Sequence, residues 1–196
     1  MIQTKAERED KWMLIRRACE NDIEGINKLL CQVLMVHHNG RPDLFKANVK
    51  KYTDEELKAI IADDSRPIFV AVNDVDNTDN ADGRITESVM AGSRIVNPVN
   101  KSDENVLGYA FCIHQQHIGN NILTDVKTLY IDDLCVDENM RGQHIGKKIY
   151  DYVLAYAKEN NYYNVTLNVW SCNEAAMKFY EKCGLKPQKV GMEAIL

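Results

Sequence analysis

Residues 129–148 read LYIDDLCVDENMRGQHIGKK, and the three parts of this stretch decide the fold. Leu129 to Val136 is an apolar-rich run suited to a buried strand, Asp137 to Met140 is a polar turn, and Arg141-Gly142-Gln143-His144-Ile145-Gly146 heads a long amphipathic segment. A strand, a tight turn and a helix start make an anion cradle. The first-turn N–H groups have no intrahelical partners, and the helix dipole adds partial positive charge beside them. A pyrophosphate suits such a site. There is no G-x-x-x-x-G-K-[ST] motif, and no G-x-G-x-x-G stands at this turn, so neither the P-loop nor the dinucleotide fingerprint applies.

Downstream of the cradle, Ile145, Ile149, Tyr152, Val153 and Tyr156 recur at helical spacing until Asn160-Asn161. Asn164 to Trp170 alternates as a strand, Ser171 with Glu174 predicts a capping box, and the helix that follows closes at Gly184. Leu185 to Leu196 is expected to finish as a strand. Upstream, Val106 to His117 pairs with Thr128 to Val136 as an antiparallel ladder. Before it stands the short strand Pro67 to Val72, and between the two lies a connection of about thirty residues, 73–104, rich in Asp, Asn, Ser and Gly. Its less polar middle, Arg84 to Val96, suits a flap or an added hairpin, and a connection of that length is commonly either functional or disordered. Thr53 with Glu56 predicts a capping box opening a helix to about Ala62. Asn21 with Glu24 predicts another, opening a helix through Leu34 that His37-His38-Asn39-Gly40-Arg41-Pro42 breaks. Lys11 to Ala18 is the first strand.

The order strand, helix, helix, three strands, helix, strand, helix, strand is mixed α/β. Together with Arg141-x-x-His144-x-Gly146, the Tyr-Ile-Asp-Asp-Leu-Cys-Val strand and the segment Asn168 to Leu185, it resembles the GNAT superfamily of acetyl-CoA-dependent N-acetyltransferases. The resemblance is close from about Leu107 onward and holds only in element order before that. It implies one domain over residues 1–196, with a mostly antiparallel sheet splayed between its fourth strand, Thr128 to Val136, and its fifth, Asn164 to Trp170. Acetyl-CoA is then expected in the gap, as cosubstrate. By position, Arg141, Gly142, Gln143, His144, Ile145, Gly146 and Lys147 hold its pyrophosphate. His144 departs from the family, which has Gly there. A helical first-turn conformation would be open to any residue, so the amide is expected to donate while the imidazole stands near the phosphates.

The composition is that of a globular chain, with 45% hydrophobic residues and a formal net charge of −5, which argues against a general nucleic-acid binder and suits a cationic substrate. Cysteines at 19, 31, 112, 135, 172 and 183 form no C-x-x-C pair and lie mostly in apolar segments, the pattern of buried thiols in a reducing compartment. With no apolar leader in MIQTKAERED and no run of about 18 apolar residues, the expectation is a cytoplasmic protein with no membrane partner. No third ligand is spaced to join His37 and His38, so no metal is expected.

Acetyl transfer to an amine needs a proton acceptor, a polarised thioester carbonyl and a proton for the departing thiolate. Asp132 and Asp133 stand in an apolar strand, where a carboxylate is costly to bury unpaired. Strict alternation would aim only one of them into the cleft. Polyamine acetyltransferases of the superfamily resemble this segment and take the first acid as base, which points to Asp132, with Asp133 beside the substrate. An aspartate would act on an ammonium through a water, or bind and orient it. In the family, main-chain groups at the positions of Leu134, Cys135 and Val136 polarise the carbonyl and bind the pantetheine arm. Cys135 needs no nucleophilic role, because an apolar strand raises a thiol's pKa. Tyr180 matches the family's acid near the coenzyme sulfur, and Asn173 the residue that contacts the coenzyme arm. His37, His38, Asp43 and Phe45 fall where the family builds its acceptor wall. The implied activity is direct transfer of acetyl to a primary amine of a small molecule, polyamine-like or amino-sugar-like. Acetylation of a protein or peptide and a non-catalytic acyl-CoA sensor are the alternatives, and family members are frequently homodimers.

Overall fold

The computed structural model describes residues 12–73 and 105–196. In chain order these form β1 (Met13–Arg17), α1 (Ile23–Gly40), α2 (Asp54–Ile61), β2 (Ile68–Asn73), β3 (Val106–Gln116), β4 (Lys127–Val136), α3 (Ile145–Glu159), β5 (Asn164–Leu167) and α4 (Glu174–Lys182). One-turn 3-10 helices stand at Glu20–Asp22 and Glu138–Met140. Lys11 and the expected 73–104 insertion, apart from Asn73 at the end of β2, lie outside the described residues, as does the segment Arg84 to Val96.

The five strands form one sheet in the order β1-β2-β3-β4-β5. The first four pair antiparallel, whereas β4 and β5 run parallel. Alternation along the strands sends side chains to two cores. Tyr109, Phe111 and Cys135 face α1 and α2, packing with Ile26, Leu29, Leu30 and Leu57; Ala110, Cys112, Leu129 and Ile131 face α3, packing with Ile145, Ile149 and Val153. Each fully buried Leu or Ile contributes about 1.5–3 kcal/mol. Arg16 ties β1 to the start of α1 by donating to both oxygens of the buried Asp22 at 2.7 and 2.9 Å.

Two features of β4 position the site. Its ladder with β5 ends at Ile131↔Leu167, although β4 continues to Val136, so the sheet parts over Asp132 to Val136. Its register with β3 also shifts: Phe111 pairs with Asp133 and Cys112 with Ile131, which leaves Asp132 as the additional residue of a β-bulge.

The structure corrects several expectations. α1 runs on to Gly40, because His residues suit a helix's last turn and the break comes only at Arg41, which Pro42 excludes from the helical region. No Asn21 to Glu24 box forms, since Asp22 is the N-cap residue of α1 and its carboxylate accepts from Cys19 N instead. Thr53 and Glu56 do form theirs. Asn173, rather than Ser171, caps α4, its Oδ1 accepting from Ala176 N at 3.1 Å. β5 stops at Leu167, where Asn168 donates to Tyr130 Oη at 3.1 Å and Trp170 turns edge-on to Phe45 at 5.3 Å. Residues 185–196 form no strand. Val190 and Met192 alternate as a strand would, but Pro187 lacks a donor, Gly191 interrupts, and both apolar side chains are exposed.

Candidate active site

The bulge decides how the acid pair stands. Because Asp132 is the additional residue, it and Asp133 face the same side, towards α1 and α2, and the expectation that only one could do so fails. One ammonium shows the convergence: Lys51 Nζ lies 3.3 Å from Asp132 Oδ2 and 3.6 Å from Asp133 Oδ2. Asp133 is the deeper of the two, 8% exposed against 32%. Tyr109 Oη donates to it at 3.2 Å. Burial holds the Asp133 carboxyl above the ordinary carboxylate range, against the opposing pull of Lys51 and of the Tyr109 hydrogen bond. For Lys51 burial works downward, yet the charges of Asp133 and Asp132 together carry it above the ordinary lysine value. The pair therefore holds one ammonium, that of Lys51, at the point where β4 and β5 part.

α1 and the segment after it wall this site. The His37 ring stands 5.0 Å from Phe45, and Phe45 meets Trp170 edge-on. Burial lowers the His37 pKa, while the charge of Asp133 pulls it up and that of Lys51 pushes it down, so the imidazole shares the field of these two groups. His38 does not share that role in any contact: its Nδ1 stands 2.7 Å from Phe45 O and pins the loop that carries Phe45. Asp43 is engaged by Arg41. Tyr180, half-buried on α4, packs on the rings of Phe179 and Tyr150 at 5.0 and 6.4 Å. Burial first, and then the charge on Asp133, push its phenol well up, so it holds its proton at any physiological pH.

Cys135 is buried beneath α1, its Sγ donating to Leu29 O at 3.7 Å, and burial pushes the thiol up to about 12. A thiol so placed is a core residue and a poor nucleophile.

The cradle lies at the other end of the same opening. Between Val136 and α3 the chain turns through Gly142 at φ +80 and His144 at φ +62. The left-handed conformation of His144 differs from the helical one expected, and it gives a physical reason for glycine at this position, since a side chain costs most where φ is positive. α2 and α4 are capped by Thr53 and Asn173, but α3 has no side-chain cap and no acidic residue in its first turn. Its N-terminal amides, with Arg141 and Gln143 beside them, could hold the diphosphate of a coenzyme, while the Lys147 side chain is engaged by Asp151. Arg141 also lines a cleft of about 360 Å³ with Glu138 and with Gln32, Met35 and Asn39 of α1.

The sequence signature of the acetyltransferase (GNAT) family matches residues 45–185. The chain belongs to the GNAT acetyltransferase family. Glucosamine 6-phosphate N-acetyltransferase of Arabidopsis thaliana is 33% identical over 66 residues, 34% of this chain and 42% of that protein. The Dictyostelium discoideum glucosamine 6-phosphate N-acetyltransferase 1 is 33% identical over 67 residues, 34% and 41% of the two chains. The match thus spans about two fifths of the length of these curated relatives. Among solved structures, the tetramutant of the BH1408 protein from Bacillus halodurans aligns over 93% of this chain and 99% of its own, with a TM-score of 0.73 and 26% identity. An aminoglycoside acetyltransferase from an uncultured soil metagenomic sample, with a TM-score of 0.61 and 18% identity over 95% and 98% of the two chains, shares the fold.

Of the residues singled out in the sequence, the structure brings Asp132, Asp133, His37 and Phe45 together and makes Arg141 to His144 the turn into α3. Lys51, Tyr109 and Trp170 were missed. Lys51 sits in an ordinary Lys-Lys-Tyr-Thr loop and meets the aspartates only through the fold. Among the described residues no group of His, Cys, Asp and Glu is arranged to hold a metal, and no helix is long and apolar enough to cross a membrane.

Proposed function

We propose that the chain transfers acetyl from acetyl-CoA, the cosubstrate of the GNAT family, directly to a primary amine of a small molecule, with an amino sugar as the acceptor class. The observation that carries this reading is the convergence of Asp132 and Asp133 on one ammonium. Lys51 marks the place where an acceptor ammonium would sit, and it already neutralises half of the pair's charge. Similarity to glucosamine 6-phosphate acetyltransferases favours an amino sugar over a polyamine.

The roles follow from position. Asp132, on the exposed side, meets the incoming ammonium. Asp133, held above the ordinary carboxylate range, takes its proton directly or through a water. The free amine then attacks the thioester carbon: the N–C bond forms, the C–S bond breaks, Tyr180 gives its proton to the departing sulfur, and the second proton shed by the amide nitrogen restores the Tyr180 phenol. Main-chain N–H groups over Leu134 to Val136, beyond the last β5 pairing, polarise the carbonyl. Arg141 to Lys147 hold the diphosphate, and Asn173 stands at the start of α4 beside the coenzyme arm. Acetyl-CoA supplies the activated acetyl group.

The test is release of free thiol from acetyl-CoA by the purified protein, with polyamines, amino sugars, amino acids and short peptides as acceptors and Tyr180→Phe alongside. Amine-dependent release that falls in the variant is the expected result. Coenzyme binding without release for any amine would overturn the reading in favour of a sensor.

A further inference from the structure

Arg41 is the first residue after α1, where its N–H donates to His37 O at 2.8 Å. Its guanidinium is held from two sides. Nε and Nη2 donate to Asp43 at 2.7 to 3.2 Å, while Nη1 and Nη2 donate to the two oxygens of Glu193 at 2.8 and 3.1 Å. Asp43 is a local partner, two residues away. Glu193 comes from the far end of the chain, in a segment without regular structure whose Met192 and Ile195 are 90% and 82% exposed. The planar fork that receives two carboxylate oxygens also receives two phosphate oxygens.

Arg41 borders the amine site. Its carbonyl accepts from Phe45 N at 3.0 Å, and Phe45 packs on His37, which shares the field of Asp133 and Lys51. The Phe45 and His37 rings thus connect Arg41 to the acid pair. An acceptor with an amine at one end and an anion at the other finds a group of opposite charge for each. Both charged positions are filled by opposite charges of the chain itself, Lys51 on the acid pair and Glu193 on Arg41.

We propose that Arg41 is the anion-binding residue of the acceptor site, that the acceptors are amines carrying a second, anionic group, a phosphorylated amino sugar above all, and that Glu193 stands in for that group until the acceptor displaces it. The inference rests on the acetyltransfer reading above. Glu193 is replaceable because its segment makes no strand pairing, whereas Asp43, equally exposed but only two residues from Arg41, stays and keeps the guanidinium aimed.

The experiment measures kcat/KM for paired acceptors that differ only in the anion, glucosamine and its 6-phosphate, and an amino acid and its amide, in the full chain, Arg41→Gln and Glu193→Gln. The anionic member of at least one pair is expected to be preferred tenfold or more, through KM. Arg41→Gln should bring that ratio to about one, and Glu193→Gln should raise it severalfold. A ratio that neither substitution moves, or amine-dependent thiol release with no preference in either pair, overturns the inference while leaving acetyl transfer intact. Absence of thiol release with every amine overturns the acetyltransfer reading and this inference together.

Discussion

Asp132 and Asp133 face the same side of β4, although they are neighbours in a strand, because Asp132 is the additional residue of the bulge opposite Phe111 and Cys112. Their burial differs, and so should their variants. Asp133→Asn removes the buried proton acceptor and should lower kcat by about 10²–10³ with a smaller change in KM. Asp132→Asn leaves that acceptor in place and should act mainly on KM for the amine. Steady-state kinetics of the two variants decide this. Equal losses of kcat would show that the pair has no division of labour.

Lys51 both sits on the acid pair proposed to receive the amine and lowers the proton affinity of Asp133. Lys51→Met keeps an apolar stem and removes the charge. Without the cation the Asp133 carboxyl rises further, so a higher pH is needed to ionise it. The acid limb of kcat/KM should move to higher pH, while KM for the amine falls severalfold. A pH–rate profile of the variant checks both, and a limb that moves to lower pH would contradict the geometry.

Tyr180 carries its proton well past neutrality because burial and the Asp133 charge oppose the phenolate. Tyr180→Phe should lower kcat by on the order of 10²-fold and leave coenzyme affinity within about twofold. The wild-type rate should show no alkaline fall below pH 10 that the variant lacks. Thiol-release kinetics from pH 6 to 10 make the comparison.

How much of this was legible follows from the range over which each feature is determined. The cradle, the Thr53 and Glu56 box and the α3 stripe depend on residues within a turn or two, and their spacing gives them away. The bulge depends on how Phe111 and Cys112 pair across β3, and nothing local to Asp132 announces it. Lys51 to Asp132 and Arg41 to Glu193 join residues 81 and 152 positions apart, where a one-letter string has no signal. The tail failed for a related reason: alternation at Val190 and Met192 describes a strand only if an edge is there to pair with.

His144 and Gly142 both have positive φ in the cradle, so they should respond oppositely to substitution. Gly142→Ala places a Cβ in a left-handed conformation and should destabilise the fold by about 1 kcal/mol or more. His144→Gly relieves that conformation at the cost of a more flexible unfolded chain, for a net effect of about 0–1 kcal/mol in the stabilising direction. Urea midpoints measure the first comparison. Coenzyme affinity measures the second, and it should weaken in Gly142→Ala while His144→Gly keeps or improves it.

Asp63 shapes the turn that leads from α2 into β2. Its Oδ1 accepts from Ser65 N and Oγ at 2.9 and 2.6 Å, and its Oδ2 from Arg66 Nε at 2.7 Å. These bonds, Ser65 first and Arg66 next, hold the carboxyl at about 2 instead of 3.8. A carboxylate depressed in the folded state stabilises it fully above the unfolded value and loses that contribution as pH falls through the folded one. The window is therefore from just above pH 4 down to about 2. Asp63→Asn should be less stable than the wild type at pH 7 and should lose less of its stability across that window, so the two curves converge on acidification. Urea denaturation at pH 7, 4, 3 and 2 tests this, and curves that stay parallel to pH 2 would show that Asp63 titrates normally.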